Sequence, residues 1–231
     1  MSKKLKNEEE LEWSSVVANN SMNRKRIAFG INSYEKEIKL NPIKYLISKY
    51  KDRKLSWLDL CCGEGNALIQ SAKFLRENNY ENKIDLEGID LVSYFADYSG
   101  YEDIMKLAPM NLENWTPSTK YDLVTIVHGL HYIGDKIGLL EKISKSLKKE
   151  GIFLGNFSLE NIRIQGVKDS EKMLRKIFKE SGIVYNSRTK MIEITEPISL
   201  SSKFKYLGAD DQAGPNYTGQ PVVDSVYEYV G

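Results

Sequence analysis

From Asn41 onward, short apolar runs alternate with segments that carry an apolar stripe at helical spacing. Ile43, Leu46, Ile47 and Tyr50 share one helical face behind Asn41, a capping residue, and Pro42, a first-turn proline. The apolar run at 57–61 reads as a buried strand, and Gly63-Glu64-Gly65 follows it. A helix is predicted from about Asn66, with Leu68, Ala72 and Leu75 on one face, and a strand at 84–91 carries Asp90 near its end. Residues 94–115 predict a short helix, a short strand near 107–110 and a loop. The run 121–127 (YDLVTIV) reads as another buried strand. Asp135 is placed to cap a helix with Leu139, Leu140, Ile143 and Leu147 on its apolar face, ending on Lys148 and Lys149, which suit the negative end of a helix dipole. A strand at 151–157 follows. A helix then starts at Asp169 or Ser170, carries Met173, Leu174, Ile177 and Phe178, and stops at Gly182.

This alternation implies crossover connections, hence a mostly parallel sheet with helices on both faces. Past Gly182 the alternation breaks. Strands are predicted at 184–185, 191–195, 204–207 and 222–230, read as an antiparallel addition at one edge of the sheet. Residues 208–221 (GADDQAGPNYTGQP) have loop chemistry throughout, and a loop this long in a compact domain usually has a function or is disordered. Before Asn41 the chain is polar and lacks a period. Residues 1–12 (MSKKLKNEEELE) read as a solvated terminus, and 1–40 as a polar extension and lid in front of a domain at 41–231.

Composition narrows the function. The 231 residues hold 41% hydrophobic and 28% charged side chains, ordinary for a folded globular chain. With 33 basic and 32 acidic residues the net charge is +1, so no global field draws the chain to nucleic acid or an anionic membrane. No apolar run approaches the ~20 residues that span a bilayer. The adjacent Cys61 and Cys62 suit neither a disulfide framework nor a zinc-ligand spacing, so the expected setting is a reducing cytoplasm and no metal is expected.

The informative segment is WLDLCCGEGNAL, residues 57–68. A buried strand runs into a glycine turn and a helix leaves it, the geometry that opens a ligand crevice in an open α/β sheet. A dinucleotide turn would need a third glycine where Leu68 stands, so that fingerprint fails. The segment resembles motif I of class I methyltransferases that use S-adenosylmethionine (SAM). Asp59 matches the acidic residue of the motif, Gly63 and Gly65 match its second and third glycines, and Cys61 departs from it at the first. Asp90 matches the acidic residue that takes both ribose hydroxyls, with Leu91 beside it. Met110, Asn111 and Leu112 fall where the family places its adenine-contacting loop. YDLVTIVHGLHYIGD resembles the motif IV strand and the loop after it, and LKKEGIFLGNFS the strand segment that follows. The resemblance runs from Asn41 to Ser158, with its motifs in order. It implies an α/β, Rossmann-like class I methyltransferase fold and SAM as cofactor. The cofactor-binding candidates are Asp59, Cys61, Gly63, Gly65, Asp90, Leu91, Asn111, Leu112 and His128.

His128, His131 and Tyr132 follow the 121–127 strand at the crevice rim and are the candidate catalytic residues. His131 is expected to meet the methyl acceptor, and His128 to serve stability or cofactor binding. The polar segments 13–37 and 208–221 are expected to close over the crevice. The acceptor read from these features is a small molecule or peptide-like metabolite. A protein or RNA acceptor is disfavoured by the absence of a basic stripe and of an Asn-Pro-Pro-Tyr type motif at VHGLHY. A non-catalytic SAM-fold subunit is disfavoured by the intact Asp59, Gly63, Gly65 and Asp90 set. The atom methylated and the oligomeric state are not legible.

Overall fold

The computed structural model describes residues 4–18, 24–217 and 219–231. Residues 19–23 of the expected lid and Thr218 of the expected loop lie outside them. Four short helices come first: α1 (Glu8–Glu12), α2 (Ser15–Ala18), α3 (Tyr34–Glu37) and α4 (Pro42–Lys49). Then come β1 (Leu55–Leu60), α5 (Asn66–Glu77), β2 (Ile84–Asp90), β3 (Met105–Pro109), β4 (Tyr121–Ile126), α6 (Lys136–Lys145) and β5 (Leu147–Asn156). The chain ends with β6 (Ile162–Ile164), α7 (Ser170–Glu180), β7 (Val184–Asn186), β8 (Met191–Ile194), β9 (Phe204–Asp210) and β10 (Asp224–Tyr229).

Seven strands form the main sheet in the order β3-β2-β1-β4-β5-β8-β7. The first five are parallel, and β8 and β7 close one edge antiparallel. Side-chain alternation divides the core between the two faces. Trp57 and Leu123 pack with Ile43 and Leu46 of α4 and Leu68, Ala72 and Leu75 of α5. Leu58, Leu60, Val124 and Ile126 pack on the other face with Leu140 and Ile143 of α6 and Leu174 and Phe178 of α7. Both faces are covered, which is why the strands read as continuous apolar runs. Several local signals do what their chemistry requires. Asn41 accepts the Lys44 N–H, Asp135 that of Gly138 and Asp169 that of Lys172, and Gly182 takes φ +76°.

Four expectations are corrected. Only two of the four C-terminal strands join the sheet edge. β9 and β10 pair instead with β6 in a second sheet ordered β6-β10-β9. Residues 94–104 contain no helix: Asp97 Oδ1 accepts the Ser99 N–H and Gly100 sits at φ +86°, a local turn that competes with helix. The helix capped by Asp135 ends at Lys145. Leu147 is already in β5 opposite Tyr121, and the Lys148 ammonium goes to Asp122 (2.8 Å) instead of to a helix end.

The fourth correction is the N-terminus. Where residues 4–12 were expected to be solvated, Lys6 bridges Ala209 and Leu11 is 2% exposed against Ala209 and Val223. Asn7 and Glu10 form a reciprocal capping box that starts α1. Removing residues 1–12 should therefore lower stability by roughly 2–3 kcal/mol, about 5–10 °C in melting temperature. A thermal melt superimposable on that of the full chain would contradict this packing.

The second sheet is fastened to the main one around a buried lysine. Lys136 is fully buried at the start of α6, and its ammonium donates to Ile133 O and Val223 O (both 2.8 Å) and Ser225 Oγ (3.0 Å). The Tyr227 hydroxyl donates to Asp135 Oδ1 (2.8 Å) and accepts the Ile137 N–H (2.9 Å). These bonds hold the loop between β4 and α6, which forms one wall of the site.

Candidate active site

Strand order reverses between β1 and β4, so their outgoing chains part and leave a crevice at the carboxyl ends. Its empty space is about 1160 Å³, open solvent at the mouth included. β1 delivers the turn Cys61–Gly65, β2 delivers Asp90 and Leu91, β3 leads to Met110–Leu112, and β4 to His128–Tyr132.

The turn is built from left-handed residues: Cys61 at φ +56°, Gly63 at +62° and Gly65 at +79°. Cys61 takes this conformation without a glycine, at a cost of about 1–2 kcal/mol, and its side chain fills space against Gly129, where an added Cβ would collide with it. At Gly63 a Cβ would lie 2.6 Å from Arg24 Cα, so only glycine lets the N-terminal segment cross the turn. The Arg24 carbonyl accepts the Glu64 N–H there (3.0 Å). Burial pushes both cysteine thiols well above their ordinary pKa, with Asp90 and Asp59 adding to the effect, so neither is a ready nucleophile.

Asp90 lies in the cavity wall, with Oδ2 accepting the Gly63 N–H (2.8 Å) and Oδ1 that of Val92 (3.4 Å). Burial raises its pKa, opposed by these backbone donors and by the charge of Arg24. Leu91, Asn111, Leu112, Cys61, Gly63, His128 and Tyr132 line the same cavity.

Asp59, Gly65 and His131 do not line it. Gly65 caps α5 and faces the Leu107 side chain. Asp59 is buried beneath the turn, accepting from the Tyr34 hydroxyl (2.7 Å) and the Thr125 hydroxyl (2.6 Å), which in turn accepts the Trp57 indole N–H (2.8 Å). Both of its oxygens are therefore used by the protein itself. Burial lifts its pKa to about 7 despite the two hydroxyl donors. Because the folded value exceeds the unfolded one, the stability linked to Asp59 is fully present below about pH 4 and is lost as pH rises through about 7. Asp59→Asn, which cannot ionise, should gain stability relative to the native chain between those limits, by an amount on the order of a few kcal/mol. Urea unfolding of both proteins across that range checks this; parallel curves would refute it.

His131 is 1% exposed, its ring lying 6.0 Å from that of His128 and 5.6 Å from that of Tyr217, a residue of the C-terminal loop. Neither of its ring nitrogens has a hydrogen-bond partner among the described residues. Burial, with the charges of His128 and Lys136, depresses its pKa to about 3. Sequence reading expects His131 to meet the acceptor; the structure encloses His131 and places His128 on the cavity wall. His128 sits at φ +63°, its N–H donating to Asn156 Oδ1 (2.6 Å) and its Nε2 lying 2.9 Å from Glu37 Oε2. Glu37 also pairs with Arg26. The hydrogen bond from His128, with its charge and that of Arg26, holds the Glu37 carboxyl near pKa 2 against desolvation. Tyr34, Glu37, Glu8 and Glu12 escaped sequence reading. The first two sit on a four-residue helix with no usable period, and the glutamates lie in a charge run that resembles a solvated face.

Among the described residues, no group of three or more His, Cys, Asp or Glu is placed to hold a metal ion, and no helix is long and apolar enough to cross a membrane. Of the solved structures, the chain is similar to the plantazolicin methyltransferase BpumL in complex with a monoazolic desmethylPZN analog and SAH (23% identity, TM-score 0.40, over 49% of this chain and 42% of that one). It is also similar to the StiE O-MT (15%, 0.47, 65% and 50%) and to a SAM-dependent methyltransferase from Aquifex aeolicus (14%, 0.42, 66% and 87%). The matched region is thus about half the length of the first two proteins or less. No curated protein matches the chain. A family described as a methyltransferase domain matches residues 33–182, well over half of the chain and the part that carries β1 to α7. With that match, the parallel sheet and the glycine turn at its switch point, the chain belongs to the class I SAM-dependent methyltransferase family.

Proposed function

We propose that the protein transfers a methyl group from SAM to a lone pair on a small-molecule or peptide-like acceptor, with His128 taking up the acceptor's proton. The observation that carries this reading is the crevice at the β1–β4 switch, with the Asp90 carboxylate in one wall and the Glu37-bonded His128 in the other.

The residues present suit the cofactor. Asp90 is a partly desolvated carboxylate whose two oxygens keep lone pairs beyond their backbone donors, as two ribose hydroxyls require. Leu91, Met110 and Leu112 offer apolar surface for a base, and the Cys61–Gly63 backbone would hold the amino-acid part. When bound, SAM supplies a sulfonium methyl group that is already strongly electrophilic. The work left to the chain is positioning, exclusion of water and handling of one proton. Glu37, ionised at neutral pH, accepts the His128 Nε2–H and so fixes the tautomer with its lone pair on Nδ1. Nδ1 makes no hydrogen bond among the described residues, which leaves it available to an acceptor. Tyr132 shares that wall and would orient the acceptor. The segments 24–37 and 208–221 would complete the enclosure: Arg24 crosses the turn, Glu37 holds His128, and Tyr217 covers His131.

Calorimetry with S-adenosylhomocysteine (SAH), followed by transfer of labelled methyl from SAM to a panel of amines, phenols, thiols and short peptides, tests the reading. One-to-one SAH binding and transfer to one of these classes are expected. SAH binding with transfer only to RNA or to folded protein would replace the acceptor class, and no binding would overturn the reading.

A further inference from the structure

The cavity contains a carboxylate that no family motif supplies. Glu12, the last residue of α1, lines it next to Asn111 and Leu112 and lies outside the family match at 33–182. Asn111 is already engaged: its Oδ1 accepts the Glu113 N–H (2.9 Å) and its amide nitrogen donates to Glu12 Oε2 (3.0 Å). Glu12 Oε1 makes no hydrogen bond among the described residues.

α1 is fixed where it stands. The Asn7–Glu10 capping box starts it, Leu11 anchors its inner face, and Glu8 Oε1 accepts the Asp135 N–H (2.7 Å). Met110 donates its N–H to Asp90 O (2.8 Å), and Leu91, Met110, Leu112 and Leu139 line the cavity together with the bonded pair Glu12 and Asn111, so apolar side chains and a carboxylate share the site with Asp90. A base attached to a ribose at Asp90 would lie with its faces on these apolar side chains and its polar edge toward Glu12. A carboxylate at that edge favours an amino group, a donor, and opposes a carbonyl, whose lone pairs would face its own.

We propose that Glu12 recognises the exocyclic amino group of the cofactor's adenine, so that the N-terminal helix sets the base specificity of the site. This rests on the cofactor assignment above. Calorimetry with two probes separates the two ideas: SAH, and S-inosylhomocysteine, in which a carbonyl replaces the amino group. The full-length protein should bind SAH at least tenfold more tightly than the inosyl analogue. Glu12→Ala should weaken SAH about tenfold, as expected for one hydrogen bond to a charged group, and leave the analogue unchanged or improved, collapsing the preference. Glu12→Gln, which keeps an acceptor oxygen, should recover part of it. Wild-type SAH affinity in Glu12→Ala, or an equal loss for both ligands, would overturn the proposal, the latter by making Glu12 a mere prop for Asn111. Failure of the native chain to bind SAH would instead bring down the cofactor assignment itself.

Discussion

Asp90→Ala should weaken SAH binding by about 10²- to 10⁴-fold while the protein stays folded. The carboxylate would accept from two ribose hydroxyls, and each hydrogen bond to a charged group is worth about 1.5–3 kcal/mol when its partner is otherwise left unpaired. The same substitution also frees the Gly63 N–H, so part of the loss would come from a slackened turn. Asp90→Asn distinguishes the two contributions. It keeps an oxygen for Gly63 and loses the charge, and should fall between the native chain and Asp90→Ala. Calorimetry measures the affinities, and a melt confirms that the variants fold. A folded Asp90→Ala protein with native SAH affinity would remove Asp90 from the cofactor site.

His128→Ala should lower kcat by about 10²–10⁴-fold, the usual contribution of a positioned general base, while SAH affinity changes little. Glu37→Gln should have a smaller effect in the same direction. Its amide oxygen can still accept the Nε2–H, but the charge that steadies an imidazolium on His128 is gone. His131→Phe separates the two histidines. It removes a buried imidazole that has no hydrogen-bond partner among the described residues and keeps an aromatic ring against Tyr217, so it should raise the melting temperature and leave kcat near native. These measurements use whichever acceptor the panel identifies. Equal, small losses in the His128 and His131 variants would mean that methyl transfer here runs by proximity alone. A large loss only in His131→Phe would support the assignment expected from sequence.

The two histidines also show where sequence reasoning stops. They lie three residues apart behind the same strand, and nothing in VHGLHY says which one reaches the cavity. That is decided by the left-handed backbone at His128, by the short 3₁₀ turn Gly129–Tyr132, and by Glu37, 91 residues earlier in the chain. Asp59 is a similar case. Its place in the motif was readable, yet its oxygens are bonded by Tyr34 and Thr125 and none is presented to the cavity.

What the sequence determined by itself was whatever depends on near neighbours. The turn at 61–65 needs backbone of positive φ, which glycine supplies cheaply. Asn41, Asp135 and Asp169 satisfy helix-end N–H groups three residues away, and unbroken apolar runs mark strands covered on both faces. These signals gave the main helices and strands from α4 to β5, the parallel sheet and the location of the crevice. What only the tertiary structure decided was which groups meet across it. A backbone ladder accepts any strand, so the pattern at 204–207 and 222–230 could not choose between the sheet edge and a second sheet. Burial of Lys136 and Tyr227 against the β4–α6 loop made that choice. A run of glutamates looks solvated until the surface it covers is known, and Asn111, 99 residues on from Glu12, becomes its partner only when β9 and α6 hold α1 over the cavity.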